Sequence, residues 1–136
     1  MNNKVAVYPV LIKEVYLDLF GHMNNAMYLT LFEEARWELI VSNGYDLKKI
    51  KDTGLGPVIL GVNVRYLREI RARDEIVMRT RVLNYKKTIA TLEQIIMRDQ
   101  EVCCTAEFTF GLFDTHARKL VSPTPEWLKA IGFEQI

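Results

Sequence analysis

The chain has two cysteines in all, and they are neighbours, Cys103 and Cys104. Adjacent side chains on a strand point to opposite faces, so the pair reads as core or surface thiols rather than a disulfide, and a reducing cytoplasm suits it. Charge of one sign is lacking as well: 18 Lys+Arg against 17 Asp+Glu leave a net +1. That balance excludes the broad basic field of a non-specific nucleic-acid binder. No apolar run reaches the roughly 18 residues of a membrane-spanning helix. The opening MNNKVAVYPVLIKEV scatters Lys4, Pro9, Lys13 and Glu14 through itself, unlike a secretory leader. Internal repeats, low-complexity tracts and Pro/Gly/Ser linkers are missing too. His22, His116 and one Cys pair lack the ligand spacing zinc uses, and no G-x-S-x-G, P-loop or Rossmann fingerprint occurs. These absences remove the commonest metal-site, serine-hydrolase, kinase and dehydrogenase readings.

What is present is 136 residues, 49% hydrophobic and 26% charged, a globular composition with the length of one domain, expected to span 1–136. Val5 to Leu17 reads as a strand, with Pro9 placing it at an edge or bulge because proline cannot donate to a ladder. The pattern breaks at Gly21 and at Asn24–Asn25, where asparagine is a good helix N-cap. A helix is expected from Asn25 to Asn43, with Gly44 as its stop. Tyr28, Phe32, Ala35 and Leu39 fall on one face of it, while Leu29, Leu31, Ile40 and Val41 widen the apolar surface into that of an enclosed helix. A short helix, Asp46 to Asp52, follows. Gly56–Leu67, Asp74–Leu83, Thr88–Met97 and Val102–Phe113 read as strands, with breaks short enough for hairpins. Pro123 and Pro125 precede a last turn or helix, Glu126 to Ile131. The order predicts an α+β chain, with one largely antiparallel sheet, its last four strands in a meander, packed on one long helix. A sheet covered on one side leaves its other face to water or to a partner.

The informative stretch runs from Asp18 to Tyr28, between the first strand and the helix start. It pairs a carboxylate with backbone N–H groups that have no partner inside the helix, at the positive end of the helix dipole. Free amides there can stabilise an oxyanion, and a nearby carboxylate can act as nucleophile or as general base. The arrangement suits hydrolysis of an activated acyl group. Each residue also has a plainer role. Asp18 could solubilise or cap a helix start; His22 could be a base or could fix the loop. Tyr28 shares a face with Phe32 and reads as core as readily as a ligand contact. Glu33 lies toward the Leu29 and Ile40 side, where it could orient a water, approach a partner subunit, or pair with an arginine. Arg36, on the flank of the apolar face, is expected in a buried or interfacial ion pair.

Asp18, Gly21, His22, Asn24, Asn25 and Tyr28 fit the pattern D-x-x-G-H-V-N-N-x-x-Y, with Met23 in place of the valine. Through that segment the chain resembles the hotdog-fold acyl-CoA thioesterases, the 4-hydroxybenzoyl-CoA thioesterase-like branch. Glu33-Glu34-Ala35-Arg36 looks like that family's E-x-A-R, and the likeness continues through Val64–Tyr66 and Asp74–Glu75 to Pro125. The resemblance implies a hotdog fold: a long central helix wrapped by a curved five-stranded antiparallel sheet, assembled as a homodimer or homotetramer with sites at subunit interfaces. It implies that Asp18 is the catalytic carboxylate and that the Asn25 backbone N–H polarises the thioester oxygen. The implied substrate is a fatty or aromatic acyl-CoA, or an acyl carrier protein thioester, with no metal and no cofactor beyond the coenzyme A of the substrate. Arg68, Lys87 and Thr88 are candidates to meet the coenzyme A phosphates, since such sites use Arg or Lys with free N–H groups. One departure is Tyr16, which stands where many relatives carry a second acid. It keeps open an acyl-CoA-binding protein without turnover; a hotdog dehydratase, which typically uses a histidine with an acidic partner, is a further alternative.

Overall fold

A computed structural model of the chain describes residues 4–133. In chain order its elements are β1 (Ala6–Leu11), a 3-10 turn (Glu14–Tyr16), α1 (Asn25–Ser42), α2 (Leu47–Thr53), β2 (Leu55–Tyr66), β3 (Glu75–Lys86), β4 (Ile89–Arg98), β5 (Glu101–Asp114), β6 (Lys119–Val121) and α3 (Pro125–Ala130). The sheet runs β1-β3-β4-β5-β2 with β6 added against β5, and every pairing is antiparallel. This is the hotdog fold, α+β, with α1 packed on the face of the sheet.

Three expectations need correction. The first strand is shorter than Val5–Leu17: beyond Leu11 the chain leaves the ladder, the Ile12 N–H donates to the Asp74 carbonyl, and a 3-10 turn follows. Pro9 sits opposite Val77 on this edge strand, the position where a missing donor costs least. The last four strands are also not a simple meander, because β2 lies at the far edge beside β5 rather than beside β3. The break at Arg68–Arg73 that resembles a hairpin is a connection across the end of the sheet, anchored by the fully buried Ile70. Two intervening strands put β2 and β3 roughly 14 Å apart at about 4.8 Å per strand, a gap that 67–74 spans easily. Finally, the sheet has six strands rather than five, since the three-residue β6 is too short to carry a period in the sequence.

The buried face of α1 is Tyr28, Leu31, Phe32, Ala35 and Ile40, turned slightly from the face expected, so that Leu39 is only half-buried. Phe32 meets Phe108 edge-on, with ring centroids 5.8 Å apart, and Tyr45 meets Trp127 likewise at 5.2 Å. Two polar side chains, Gln94 and Thr80, lie in this core. Gln94 is fully buried; its amide nitrogen donates to the Phe32 carbonyl (3.1 Å) and to Thr80 Oγ1 (2.9 Å). Its Oε1 accepts from Arg36 Nη1 at 2.9 Å, and the guanidinium lies over the Phe108 ring, 4.3 Å from its centroid. Arg36 is therefore held by an amide and an aromatic face; among the described residues no carboxylate pairs with it. Burial brings its pKa down to about 10, against the opposing charge of Glu33.

Cys103 and Cys104 are both free and wholly buried. Of the two readings the sequence left open, both thiols are core: the β2–β3 connection covers this end of β5, with the Leu67 and Arg68 N–H groups both donating to the Cys103 carbonyl. Burial pushes the Cys104 thiol up to about 12.

Replacing Gln94 by Leu leaves the buried Arg36 Nη1 without its acceptor and Thr80 Oγ1 without its donor. We expect a loss of roughly 1–3 kcal/mol in urea unfolding, partly recovered by adding Arg36→Met, since removing both members of a buried polar pair is milder than removing one.

Candidate active site

Between β1 and α1 the chain folds a tight loop, 18–22. The Asp18 N–H donates to the His22 carbonyl (2.8 Å) and the Gly21 N–H to the Asp18 carbonyl (3.2 Å). Gly21 turns the chain at φ 78°, in the left-handed region glycine favours. Within the loop Asp18 Oδ1 accepts from the Phe20 N–H at 2.8 Å and the His22 N–H at 3.2 Å. Its second oxygen accepts from no donor among the described residues.

The helix start is built next to it. Asn24 is the N-cap in extended conformation, and its side chain accepts from the Ala26 N–H at 2.8 Å. Its own N–H donates to the Tyr16 carbonyl at 2.9 Å. The next N–H, that of Asn25, has no acceptor among the described residues, as expected for the first turn of a helix. Asp18 and Asn25 line one cleft of about 330 Å³ together with His22, Tyr28, Tyr66, Arg68 and Glu69. The cleft thus joins a carboxylate with one free oxygen to an unpaired N–H at the positive end of a helix.

Tyr28 is 4% exposed and packs edge-on against Tyr66, centroids 4.8 Å apart. Burial pushes its hydroxyl up to about 12, so it stays neutral and acts as cleft wall. Tyr66 donates to the Asn25 carbonyl at 3.0 Å, tying β2 to the helix start. Sequence reasoning gave Tyr66 no role; its one signal was its place in the Val64–Tyr66 match. His22 Nε2 lies 2.8 Å from Glu69 Oε2, and the Met23 N–H donates to the Ile70 carbonyl at 2.6 Å. Both contacts staple the Asp18 loop to the β2–β3 connection. Glu69 is a second residue the sequence did not single out.

Other candidates lie elsewhere. Glu33 is exposed two turns along α1, at a separate cavity of about 110 Å³ between α1 and β2, whose lining includes Arg36, Trp37, Pro57, Ile59 and Phe110. Lys87 and Thr88 form the β3–β4 turn, where the ladder runs Ala90–Phe110–Ile59. The cleft is at the opposite end, where it runs Ile96–Cys104–Tyr66, so neither residue reaches the Asp18 of its own chain. Arg68 does line the cleft, with its Nε 3.2 Å from Glu101 Oε2.

Arg98 anchors the floor beneath this loop, donating to the Glu69 carbonyl (3.0 Å), Asp74 Oδ2 (2.8 Å) and Glu101 Oε1 (2.6 Å). Burial pushes the Asp74 carboxyl up, but the Arg71 N–H and the Arg98 guanidinium together hold it below its ordinary value. Glu69 is also held low, chiefly by its hydrogen bond from Arg71. The folded chain therefore binds fewer protons than the unfolded chain in acid. The stability contributed is complete above the ordinary carboxylate value of about 4 and is lost as pH falls through the lower folded values. Urea unfolding followed downward from about pH 5 should show that loss, and Asp74→Asn should flatten it.

A family model described as the thioesterase-like superfamily matches residues 12–131. The chain is 28% identical over 137 residues to the L-carnitine dehydrogenase/betainyl-CoA thioesterase of Agrobacterium fabrum, a match covering 96% of this chain and 28% of that longer protein. It is 26% identical over 113 residues to the long-chain acyl-CoA thioesterase FadM of Escherichia coli, covering 82% and 85% of the two chains. Among solved structures, a Staphylococcus aureus protein in complex with CoA superposes with TM-score 0.88 at 18% identity, over 100% of this chain and 90% of that one. The DHNA-CoA thioesterase of the same organism gives 0.81 at 19% identity, over 93% and 87%. At such identities the superpositions establish the fold, and the sequence match establishes the lineage. Extending from Ile12 to Ile131, across the Asp18 loop, the helix and the whole of β2 to β6, that match makes the chain a member of the thioesterase-like superfamily, a family of thioester hydrolases.

Proposed function

We propose that this chain hydrolyses an acyl-CoA thioester to the free acid and coenzyme A, with Asp18 as the catalytic carboxylate and the Asn25 N–H as the donor to the carbonyl oxygen. The observation that carries the reading is the division of labour at Asp18. One carboxylate oxygen is held by two backbone N–H groups and the other is free, while Asp18 and Asn25, whose N–H is unpaired among the described residues, line one cleft. With the thioester oxygen on that N–H, negative charge developing in the transition state is stabilised without reorganisation. The free Asp18 oxygen either attacks the carbonyl carbon, expelling the CoA thiolate and leaving a mixed anhydride that water opens, or takes a proton from the attacking water. Both routes use the same atom, and the thiolate leaves as the thiol after protonation from water. Arg68 at the rim suits a CoA phosphate.

The assembly we propose is a homodimer through β2. That strand pairs only with β5 among the described residues and exposes Ile59, Leu60 and Val62. A long apolar edge of this kind is normally covered. The outward face of the sheet, with Arg79, Arg81, Glu93 and Glu107, offers a polar surface for pairing of dimers. Buried, reduced thiols fit a cytoplasmic setting.

A binding protein without turnover is the second reading, since the two bonds to Asp18 Oδ1 also suffice for a loop-closing turn. Asp18→Asn separates the two, because the amide oxygen keeps both bonds while the charged oxygen is lost. In a thiol-release assay over acetyl-, octanoyl-, palmitoyl- and benzoyl-CoA, we expect turnover on at least one substrate and a fall of roughly 10²-fold or more in Asp18→Asn. Saturable binding with no thiol released by the folded wild type would favour the binding reading instead.

A further inference from the structure

Once Asp18 has attacked a thioester it is part of an anhydride, and its carboxylate can no longer accept a proton. Water that reopens the anhydride then needs a different base in the same cleft. The lining offers few. Burial pushes the Tyr28 hydroxyl up to about 12 and raises that of Tyr66 as well, so both stay neutral, and Tyr66 is spent on the Asn25 carbonyl. Arg68 is a cation. Glu69 has both oxygens engaged, Oε1 with Arg71 Nη2 and Oε2 with His22 Nε2 at 2.8 Å. Among the lining residues this leaves the imidazole of His22.

The second ring nitrogen of that imidazole is available. Glu69 is held below its ordinary value, chiefly by its hydrogen bond from Arg71, so it meets Nε2 as a carboxylate, which only accepts. The proton of the contact therefore sits on Nε2, and the neutral ring carries its lone pair on Nδ1. No donor among the described residues reaches Nδ1. The side chain also starts beside the reacting carboxylate, since the His22 N–H donates to Asp18 Oδ1 at 3.2 Å. Closing the loop does not require the His22–Glu69 contact. The Met23 N–H bond to the Ile70 carbonyl and a β-bridge between His22 and Arg71 already join the two segments. Arg98 holds the Glu69 carbonyl at 3.0 Å, so the residue that orients the ring is itself anchored.

We infer that His22 is the base of the second step, its Nδ1 taking a proton from the water that opens the Asp18 anhydride, and that Glu69 is a positioning residue that fixes the ring and its tautomer. In that step the water oxygen bonds to the acyl carbon, whose carbonyl oxygen stays on the Asn25 N–H. The bond from that carbon to the Asp18 oxygen breaks, its electron pair returns to the carboxylate, and the free acid departs. The proton on Nδ1 passes to solvent, which supplies the one taken by the departing CoA thiolate. The inference rests on the hydrolytic reading and selects its nucleophilic route, because an Asp18 that is never acylated can serve as the base itself.

His22→Gln keeps an N–H donor for Glu69 and removes the Nδ1 lone pair. Rapid-quench thiol release over the same four acyl-CoAs separates the two steps. We expect His22→Gln to release about one thiol per chain in a burst, as an accumulating acyl-enzyme does, and then to turn over roughly 10²-fold or more slower than wild type. Intact mass after acid quench should show the chain heavier by one acyl group, and adding Asp18→Asn should remove both burst and adduct. Glu69→Gln should give a slowed second step behind a full burst, whereas a loop merely loosened by loss of the contact slows the burst itself. Urea unfolding checks each variant, and Glu69→Gln, with the ring intact, carries the test where His22→Gln does not fold. Turnover by folded His22→Gln equal to wild type overturns the inference and leaves hydrolysis through Asp18 standing. Loss of the burst in His22→Gln, with no acyl adduct, overturns it in favour of direct attack by water. Hydration of crotonyl-CoA that requires His22 and survives Asp18→Asn assigns the pair to addition of water across a double bond and overturns it too. No thiol release by wild type from any of the four substrates removes the hydrolytic reading and this inference together.

Discussion

The bond from the Asn24 N–H to the Tyr16 carbonyl, 2.9 Å long, closes the segment on which the site depends. It brings the residues before Asp18 back against the first turn of α1, so one short stretch of chain delivers both a carboxylate and a free amide to the same cleft. Everything around it holds that closure in place: Asn24 caps the helix with its side chain, Tyr66 donates to the carbonyl of the next residue, and His22 is tied to Glu69. Because the cap and the Asn25 N–H, the proposed oxyanion donor, are neighbours, the helix start satisfies one amide internally and leaves the adjacent one unpaired. In the proposed mechanism capping and catalysis share the unsatisfied groups of a single helix end.

The sheet has a hydrophobic interior crossed by one polar cluster, Gln94 with Thr80 and Arg36. Gln94 uses both ends of its amide, toward Phe32 and Thr80 on one side and Arg36 on the other. The arrangement fixes the middle of α1 against β3 and β4 by directional bonds, where aromatic contacts such as Phe32–Phe108 supply the burial. A glutamine meets a guanidinium without bringing a second charge into the core, which lowers the desolvation cost relative to a buried ion pair.

What was legible in the sequence was local. The Asn24 cap, the extent of α1, and the Asp18–Tyr28 motif all lie within a few residues of one another, and the structure brings Asp18, His22, Asn25, Tyr28 and Arg68 to one cleft. What was hidden depends on distant partners. Tyr66 is 41 residues from Asn25, Gln94 is 58 from Arg36, and neither separation leaves a trace in periodicity. The strand order failed for the same reason: a connection across the sheet's end and a hairpin turn are both short polar breaks. Lys87 and Thr88 occupy a turn as expected, at the end of the sheet opposite their own chain's cleft.

The burial of Cys103 and Cys104 has a chemical consequence for an enzyme that makes a thiol. Each turnover of the proposed reaction releases coenzyme A with a free sulfhydryl, and an accessible protein thiolate beside it would be open to mixed-disulfide formation with oxidised coenzyme A. Exchange needs a thiolate and an approach route. These two residues, the only cysteines in the chain, are covered on both faces of β5, with Cys104 raised to about 12. The leaving group therefore departs from a protein surface that carries no sulfur nucleophile, and product release is insulated from the redox state of the coenzyme A pool.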